Sequence, residues 1–247
     1  MPNKAPRQPA RLWQCRVRSA LLPFGLWCAL PIAVAADTIT DARFAEPTTR
    51  YAHGVLGDNI EYGALELVVD DTVVTVRLPQ DRVFEDLAPR LADIDRDGAV
   101  EAIVVETQDT TGAQLAIYNA AGEKIAATPH IGARFRWLAP VGAADLDGDG
   151  TIEIAYIDRP HLAKTLRIWR FKDGGLTEIA ALPGLTNHKI GEDFISGGLR
   201  SCGDHPEMIL ASADWSRIIR VSYQDGWHLT DLGPLKHRDN LTSALDC

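Results

Sequence analysis

The chain has 247 residues, 46% of them apolar and 24% charged, with 34 acidic against 25 basic residues and a formal charge of −9. This composition excludes a disordered chain. The acidic excess argues against nucleic acid as the main partner, because phosphate binding needs a basic surface.

The charge is unevenly spread. Residues 1–36 hold Lys4, Arg7, Arg11, Arg16 and Arg18 and no acid, and an apolar run from Ala20 to Ala36 ends in Ala33-Val34-Ala35-Ala36. A basic start, a short apolar run and small residues predict a secretory signal peptide cleaved near Ala35 or Ala36. Pro23 and Pro31 interrupt the run, and a membrane anchor needs about 18–20 clean apolar residues. Trp27 directly before Cys28 speaks against a lipid anchor, and no adjacent arginine pair marks twin-arginine export. The expected location is periplasmic or secreted, with no membrane span after cleavage. Residues 37–247 would then carry 20 basic and 34 acidic residues, a charge of −14. They retain two cysteines, Cys202 and Cys247, a pair that predicts a disulfide in an exported protein, with two free thiols as the alternative.

Strand patterns dominate the remainder of the chain. Ile154–Ile157, Thr165–Phe171 and Leu176–Ala181 form one series, with an Asp-Gly turn at 173–174. Met208–Ser212, Arg217–Tyr223 and Trp227–Leu232 form another, with an Asp-Gly turn at 225–226. Asp-Gly pairs between β-prone runs predict hairpins. No long window carries a 3.6-residue period, so few helices are expected. Short strands repeated every 40–50 residues predict the blades of a β-propeller. The expected fold is all-β: about four full four-stranded blades over residues 51–247, plus a partial fifth whose inner strand is Leu241 to Leu245. The segment 37–50 would pair with the last strand and close the ring; an open array and a dimer are the alternatives.

Two acidic loops set the frame of the repeat. Asp93, Asp95, Asp97, Gly98 and Glu101 recur 52 residues later as Asp145, Asp147, Asp149, Gly150 and Glu153, and each loop follows a Leu-Ala-Pro sequence. Alternate carboxylates in a tight loop converge, and the glycine at position six permits the bend. Hard oxygen donors in this number suit Ca²⁺, which takes six to eight oxygens at about 2.3–2.6 Å. The backbone carbonyls of Ala99 and Thr151, at position seven, are the expected additional ligands. An EF-hand begins alike but needs its bidentate acid at position twelve, where this chain has Val104 and Tyr156. Two Ca²⁺ sites are therefore expected. Two weaker copies start at Asp58, with Glu66 at position nine, and at Leu199, with Glu207 at position nine. They lack the alternating acids and are expected to keep blade geometry without metal. Cys202 lies in the second of these copies, where a disulfide to Cys247 would take over as the local staple.

These loops and the β-runs after them resemble the FG-GAP/VCBS repeats of integrin-like β-propellers in exported bacterial proteins. The resemblance runs from Gly54 to Cys247 and is specific at the two full loops. It implies an acidic loop that joins the first two strands of a blade and binds Ca²⁺ through Asp93, Asp95, Asp97 and Glu101, and through Asp145, Asp147, Asp149 and Glu153.

No nucleophile elbow, His-Glu-x-x-His or phosphate loop occurs. The histidines 53, 130, 161, 188, 205, 228 and 237 show no ligand spacing; His53, His188 and His237 each precede an inner strand and could ring one face. Trp137, Trp169, Trp215 and Trp227 fall in or beside strands and are expected to pack between blades. No catalytic residue is assigned. The reading is an exported calcium-binding propeller that binds a protein or glycan as a monomer or weak dimer. Its rivals are a calcium-dependent envelope hydrolase or lyase with a site on the propeller face, and a purely structural module.

Overall fold

The structure is a computed structural model that describes residues 37–247; the basic leader and its cleavage point lie outside the described residues. Four successive antiparallel layers of the propeller-blade kind make up the protein. The first holds β1 (Ile39–Thr48), β2 (Glu61–Val69) and β3 (Thr72–Arg77). The second holds β4 (Arg82–Phe84), β5 (Arg90–Ala92), β6 (Glu101–Gln108), β7 (Gly112–Tyr118) and β8 (Lys124–Ala127). A single residue pair, Tyr62 with Phe84, joins these two into one ladder. The third is a four-stranded sheet of β9 (Leu138–Ala144), β10 (Glu153–Asp158), β11 (Thr165–Lys172) and β12 (Gly175–Pro183). The fourth holds β13 (Leu185–Thr186), β14 (Gly198–Arg200), β15 (Glu207–Ser212), β16 (Arg217–Tyr223) and β17 (Trp227–Pro234). The hairpins expected at the Asp-Gly turns form, between β11 and β12 and between β16 and β17.

The strand after each acidic loop is buried on both faces, which explains why β6, β10 and β15 read as nearly unbroken apolar runs. Successive side chains of a strand point to opposite faces, so each of these strands feeds two cores. Ala102 and Val104 pack toward the first layer with Leu65, Leu67 and Phe84. Ile103 and Val105 pack toward the third with Trp137, Ile154 and Tyr156. Ala155 and Ile157 share a core with Met208 and Leu210. Burial of such side chains contributes about 1.5–3 kcal/mol each, and this two-sided packing holds the layers in chain order.

Three expectations change. Residues 37–50 contribute β1, which pairs with β2 from Ile39–Val69 to Thr48–Glu61, in the first layer rather than with the last strand. The first layer has three strands of its own, not four. Leu241 to Leu245 does not form a fifth inner strand: helix α1 (Asp239–Ser243) begins there. Leu241, Ala244 and Leu245 fall at i, i+3 and i+4, one face of a helix, and cover Ile209, Ala211 and Ile218 on the outer side of the fourth layer. The helix caps an apolar face that a further blade would otherwise bury. The predicted disulfide is formed between Cys202 and Cys247, with Cα atoms 5.4 Å apart, and ties the segment after the helix to the fourth loop.

Candidate functional site

The two full acidic loops join β5 to β6 and β9 to β10 and share a set of backbone bonds. The N–H of Gly98 donates to Asp93 Oδ2 at 3.1 Å, and that of Gly150 to Asp145 Oδ2 at 3.1 Å. Ala99 N–H donates to Asp97 Oδ1 and Thr151 N–H to Asp149 Oδ1. Ile94 N–H reaches Glu101 Oε2 at 3.0 Å, and Leu146 N–H reaches Glu153 Oε2 at 2.9 Å. Gly98 and Gly150 take φ of 92° and 90°, where a side chain would be strained. These bonds draw positions one, three and nine together: carboxylate oxygens of Asp93, Asp95 and Glu101 lie within 4.8 Å of one another, as do those of Asp145, Asp147 and Glu153. Asp97 and Asp149, at position five, are not in those clusters, and no observation bears on the carbonyls of Ala99 and Thr151 as ligands.

The donor set suits a hard divalent cation. Burial raises the carboxyl of Glu101, and the carboxylates of Asp95, Asp97 and Asp93 raise it further. Asp93 Oδ1 is buried with no hydrogen-bond partner, an arrangement that a bound cation would satisfy. The second loop differs in ways that the spacing of its acids did not reveal: Gly148 N–H also donates to Asp145 Oδ1 at 2.8 Å, and Arg96 of the first loop reaches Asp145 Oδ2 at 3.1 Å. Arg170 on β11 pairs with Asp147, with Asp149 at 3.1 Å and with Glu153 at 2.8 Å. The residue facing Glu153 across the ladder is Arg170; the register of β6 with β7 puts Asn119 next to the same position in the second layer. The second cluster thus carries an internal cation and the first does not.

Of the two weaker copies, the register of the first is corrected. Glu66 lies inside β2, so it is not the residue that closes a loop. Glu61 opens β2 as Glu101, Glu153 and Glu207 open β6, β10 and β15, and all four are buried. The Ile60-Glu61 pair, which repeats Ile152-Glu153, was the signal for this frame. Glu61 lies 2% exposed; burial, with the Glu85 carboxylate nearby, pushes its pKa up to about 9. In the fourth loop Glu207 pairs with Arg200 at 2.9 Å and Arg220 at 3.4 Å.

A second group of polar side chains gathers on the loops between layers. The segments 51–57, 129–137, 159–162 and 187–196 meet there, and Gly191 N–H donates to the Val55 carbonyl at 3.1 Å. His53 Nδ1 lies 2.5 Å from Oε1 of the fully buried Glu85, whose Oε2 accepts from the Thr107 hydroxyl at 2.6 Å. Burial lifts the Glu85 carboxyl, and the bonds from His53 and Thr107 draw it back. His188 Nε2–H donates to the Glu192 carbonyl at 2.9 Å, which leaves Nδ1 as acceptor for His161 Nε2–H at 3.0 Å. Burial lowers His161 to about 4, and burial lowers His188 as well, so both rings are neutral near pH 7. His53 and His161 border a cleft of about 320 Å³ with Phe135, Trp137, Arg159 and Ile190. Of the three histidines expected to share a face, His53 borders this cleft and His188 backs His161, which also borders it. His237 borders a different depression with Lys189 and Trp215. Trp137 and Trp169 pack in the core as expected, while Trp215 and Trp227 are half-buried.

Among the described residues no helix is long and apolar enough to cross a membrane. Residues 86–156, which include both full loops, match the family model of the FG-GAP-like repeat. A similar solved structure is that of the exotype rhamnogalacturonan lyase YesX, at 13% identity and a TM-score of 0.46, over 80% of this chain and 48% of the lyase. The chain thus spans about half the length of that structure. No match is found among curated proteins. The part of this chain that resembles the FG-GAP-like repeat thus spans β5 to β10, within an all-β array of propeller-type sheets.

Proposed function

We propose that this protein is an exported, calcium-stabilised β-propeller module that binds a protein or glycan. The observation that carries the calcium reading is the pair of like carboxylate clusters, each with carboxylate oxygens of three acids within 4.8 Å of one another and its closing Glu bonded to the N–H after the first Asp. The orphaned Asp93 oxygen supports it at the first loop. Export is supported by the basic-apolar leader and by the disulfide, which persists in an oxidising compartment. Calcium here holds a loop at the head of a buried strand, so its role is to stabilise the blade. A melting curve of the mature chain with Ca²⁺ and with chelator tests this: Ca²⁺ should raise the melting temperature in a concentration-dependent way, and identical curves would contradict it. Affinity capture from envelope extract in Ca²⁺, repeated with Asp95→Ala, tests the binding role.

A second reading, a calcium-dependent hydrolase or lyase, draws on one observation. The Thr107–Glu85–His53 chain orients an imidazole beside a cleft, as a general base is oriented. Among the described residues no nucleophile or second acid is placed against His53 in that cleft, so binding is the better supported of the two.

A further inference from the structure

The loop-face cleft has a chemistry of its own. The acidic loops lie elsewhere, at the heads of β6 and β10, and none of their carboxylates borders it. Each of its two imidazoles is fixed through one nitrogen. His53 uses Nδ1 on Glu85, and His161 uses Nε2 on His188, which is itself anchored on the Glu192 carbonyl. His53 Nε2 and His161 Nδ1 make no hydrogen bond among the described residues. On the neutral His161 ring the free Nδ1 is a lone-pair acceptor with no proton, and His53 Nε2 is the open nitrogen of a ring held on the Glu85 carboxyl. The rigid backing gives each ring a set orientation.

The charges of the cleft are only partly matched. Arg159 spends Nε and Nη2 on the buried Asp158, at 2.7 and 3.0 Å. The Arg136 guanidinium, which also borders the cleft, meets only the Phe135 carbonyl, at 3.3 Å, among the described residues. The apolar part of the wall is open to solvent: Phe135 is 38% exposed and Ile190 72% exposed. The Phe135 ring is itself held, stacked on His53 at 4.9 Å with its N–H donating to the Tyr51 hydroxyl at 2.6 Å. A fitting ligand must therefore offer hydroxyls to two fixed ring nitrogens and an apolar face to Phe135 and Ile190. A sugar ring has both, with hydroxyls at its rim and C–H bonds on its face.

We propose that this cleft is a saccharide-binding site, in which His161 Nδ1 accepts from one ligand hydroxyl, His53 Nε2 hydrogen-bonds to another and Phe135 packs against the apolar face of the sugar. The proposal rests on the binding-module reading above and names its ligand class and its site. The test is binding of the mature chain, in Ca²⁺, to an array of defined neutral and acidic oligosaccharides, followed by titration of the free oligosaccharide that binds best. Binding of at least one saccharide is expected, weakened tenfold or more by Phe135→Ala and by His161→Leu. His161→Gln, which restores an acceptor oxygen, should recover part of the loss. Melting curves of each variant check folding; Phe135→Ala alters an exposed ring and serves if His161→Leu does not fold. Absence of any saccharide binding, or affinity unchanged in both Phe135→Ala and His161→Leu, overturns the proposal. If no saccharide binds while wild-type protein captures a protein partner from extract in Ca²⁺, this site assignment fails and the binding-module reading survives; if neither is seen, both fail.

Discussion

Arg170 and Glu153 face each other across the ladder of β10 and β11, with Nε 2.8 Å from Oε1, and the same guanidinium reaches Asp147 and Asp149. One side chain thereby offsets much of the repulsion that the second acidic loop would otherwise carry. The first loop has the same carboxylates and no such partner, so the two clusters present different net charge to an incoming cation.

Calcium titration should therefore show unequal sites, the tighter one at Asp93, Asp95 and Glu101. Arg170→Ala should strengthen the weaker site and enlarge the rise in melting temperature on adding Ca²⁺. In chelator the same variant should lose about 1–3 kcal/mol, reduced from the fully buried case because the Arg170 side chain is 25% exposed. Calorimetric titration of both proteins measures this; equal affinities in the wild type would refute the role given to Arg170.

Glu61 gives an alkaline signature. Its folded pKa, about 9, lies above the ordinary 4.5. Between those values the unfolded chain ionises Glu61 and the folded one does not, so stability falls as pH rises toward 9. Denaturant midpoints between pH 7 and 9 should decline in the wild type and decline less in Glu61→Gln. A slope unchanged by the substitution would show that Glu61 is not the group responsible.

His161 acts in the opposite sense. Its folded pKa of about 4 lies below the ordinary 6.5, so the unfolded chain binds the proton first. The neutral His161 contributes stability that is fully present above 6.5 and lost as pH falls toward 4. His161→Gln should flatten the stability profile over that window and leave the region above pH 7 as it was. Melting curves from pH 4.5 to 8 on the two proteins separate these outcomes.

The disulfide between Cys202 and Cys247 closes a long loop, with a sequence separation of 45. Replacing both cysteines by serine should cost about 2–4 kcal/mol, chiefly by freeing the unfolded chain. Urea unfolding of the double variant is the measurement, and added reductant should lower the wild type to the same midpoint. A wild type indifferent to reductant would show that the bridge does not stabilise the fold.

Leu241 is 1% exposed and packs with Ile209, Ala211 and Ile218 on the fourth layer. Leu241→Ala should destabilise by about 2–4 kcal/mol through the cavity it leaves. Hydrogen exchange should localise the loosening to β15 and β16. Loss below about 1 kcal/mol, the range of a surface change, would mean that α1 is not a cap of the array.

Much of the fold is legible in local pattern. The strands at 154–157, 208–212 and 217–223 follow from short apolar runs bounded by turns, and the Asp-Gly pairs place the hairpins within a residue or two. The acidic loops are legible for the same reason: ligands spaced two residues apart within nine residues leave the backbone few ways to hold them. The frame of the first copy is obscured because its Asp58 and Gly63 imitate a loop that the chain does not build, while the buried Glu61 carries the repeat. The segment 241–245 reads as a strand because it is too short for a helical period to outweigh the expectation of another blade.

By itself, the sequence determined the all-β character, the repeat, the two carboxylate clusters and the pairing of the last two cysteines. Each depends on residues that are close along the chain or are the sole remaining partners. Only the tertiary structure decided that Arg170 enters the second cluster, that β1 joins the first layer, and that His53, Glu85, His161 and His188 gather on one face. Those partners are 17 to 32 residues apart in sequence. What brings them together is the packing of successive layers through the two-sided strands β6, β10 and β15, and spacing along one strand carries no record of it.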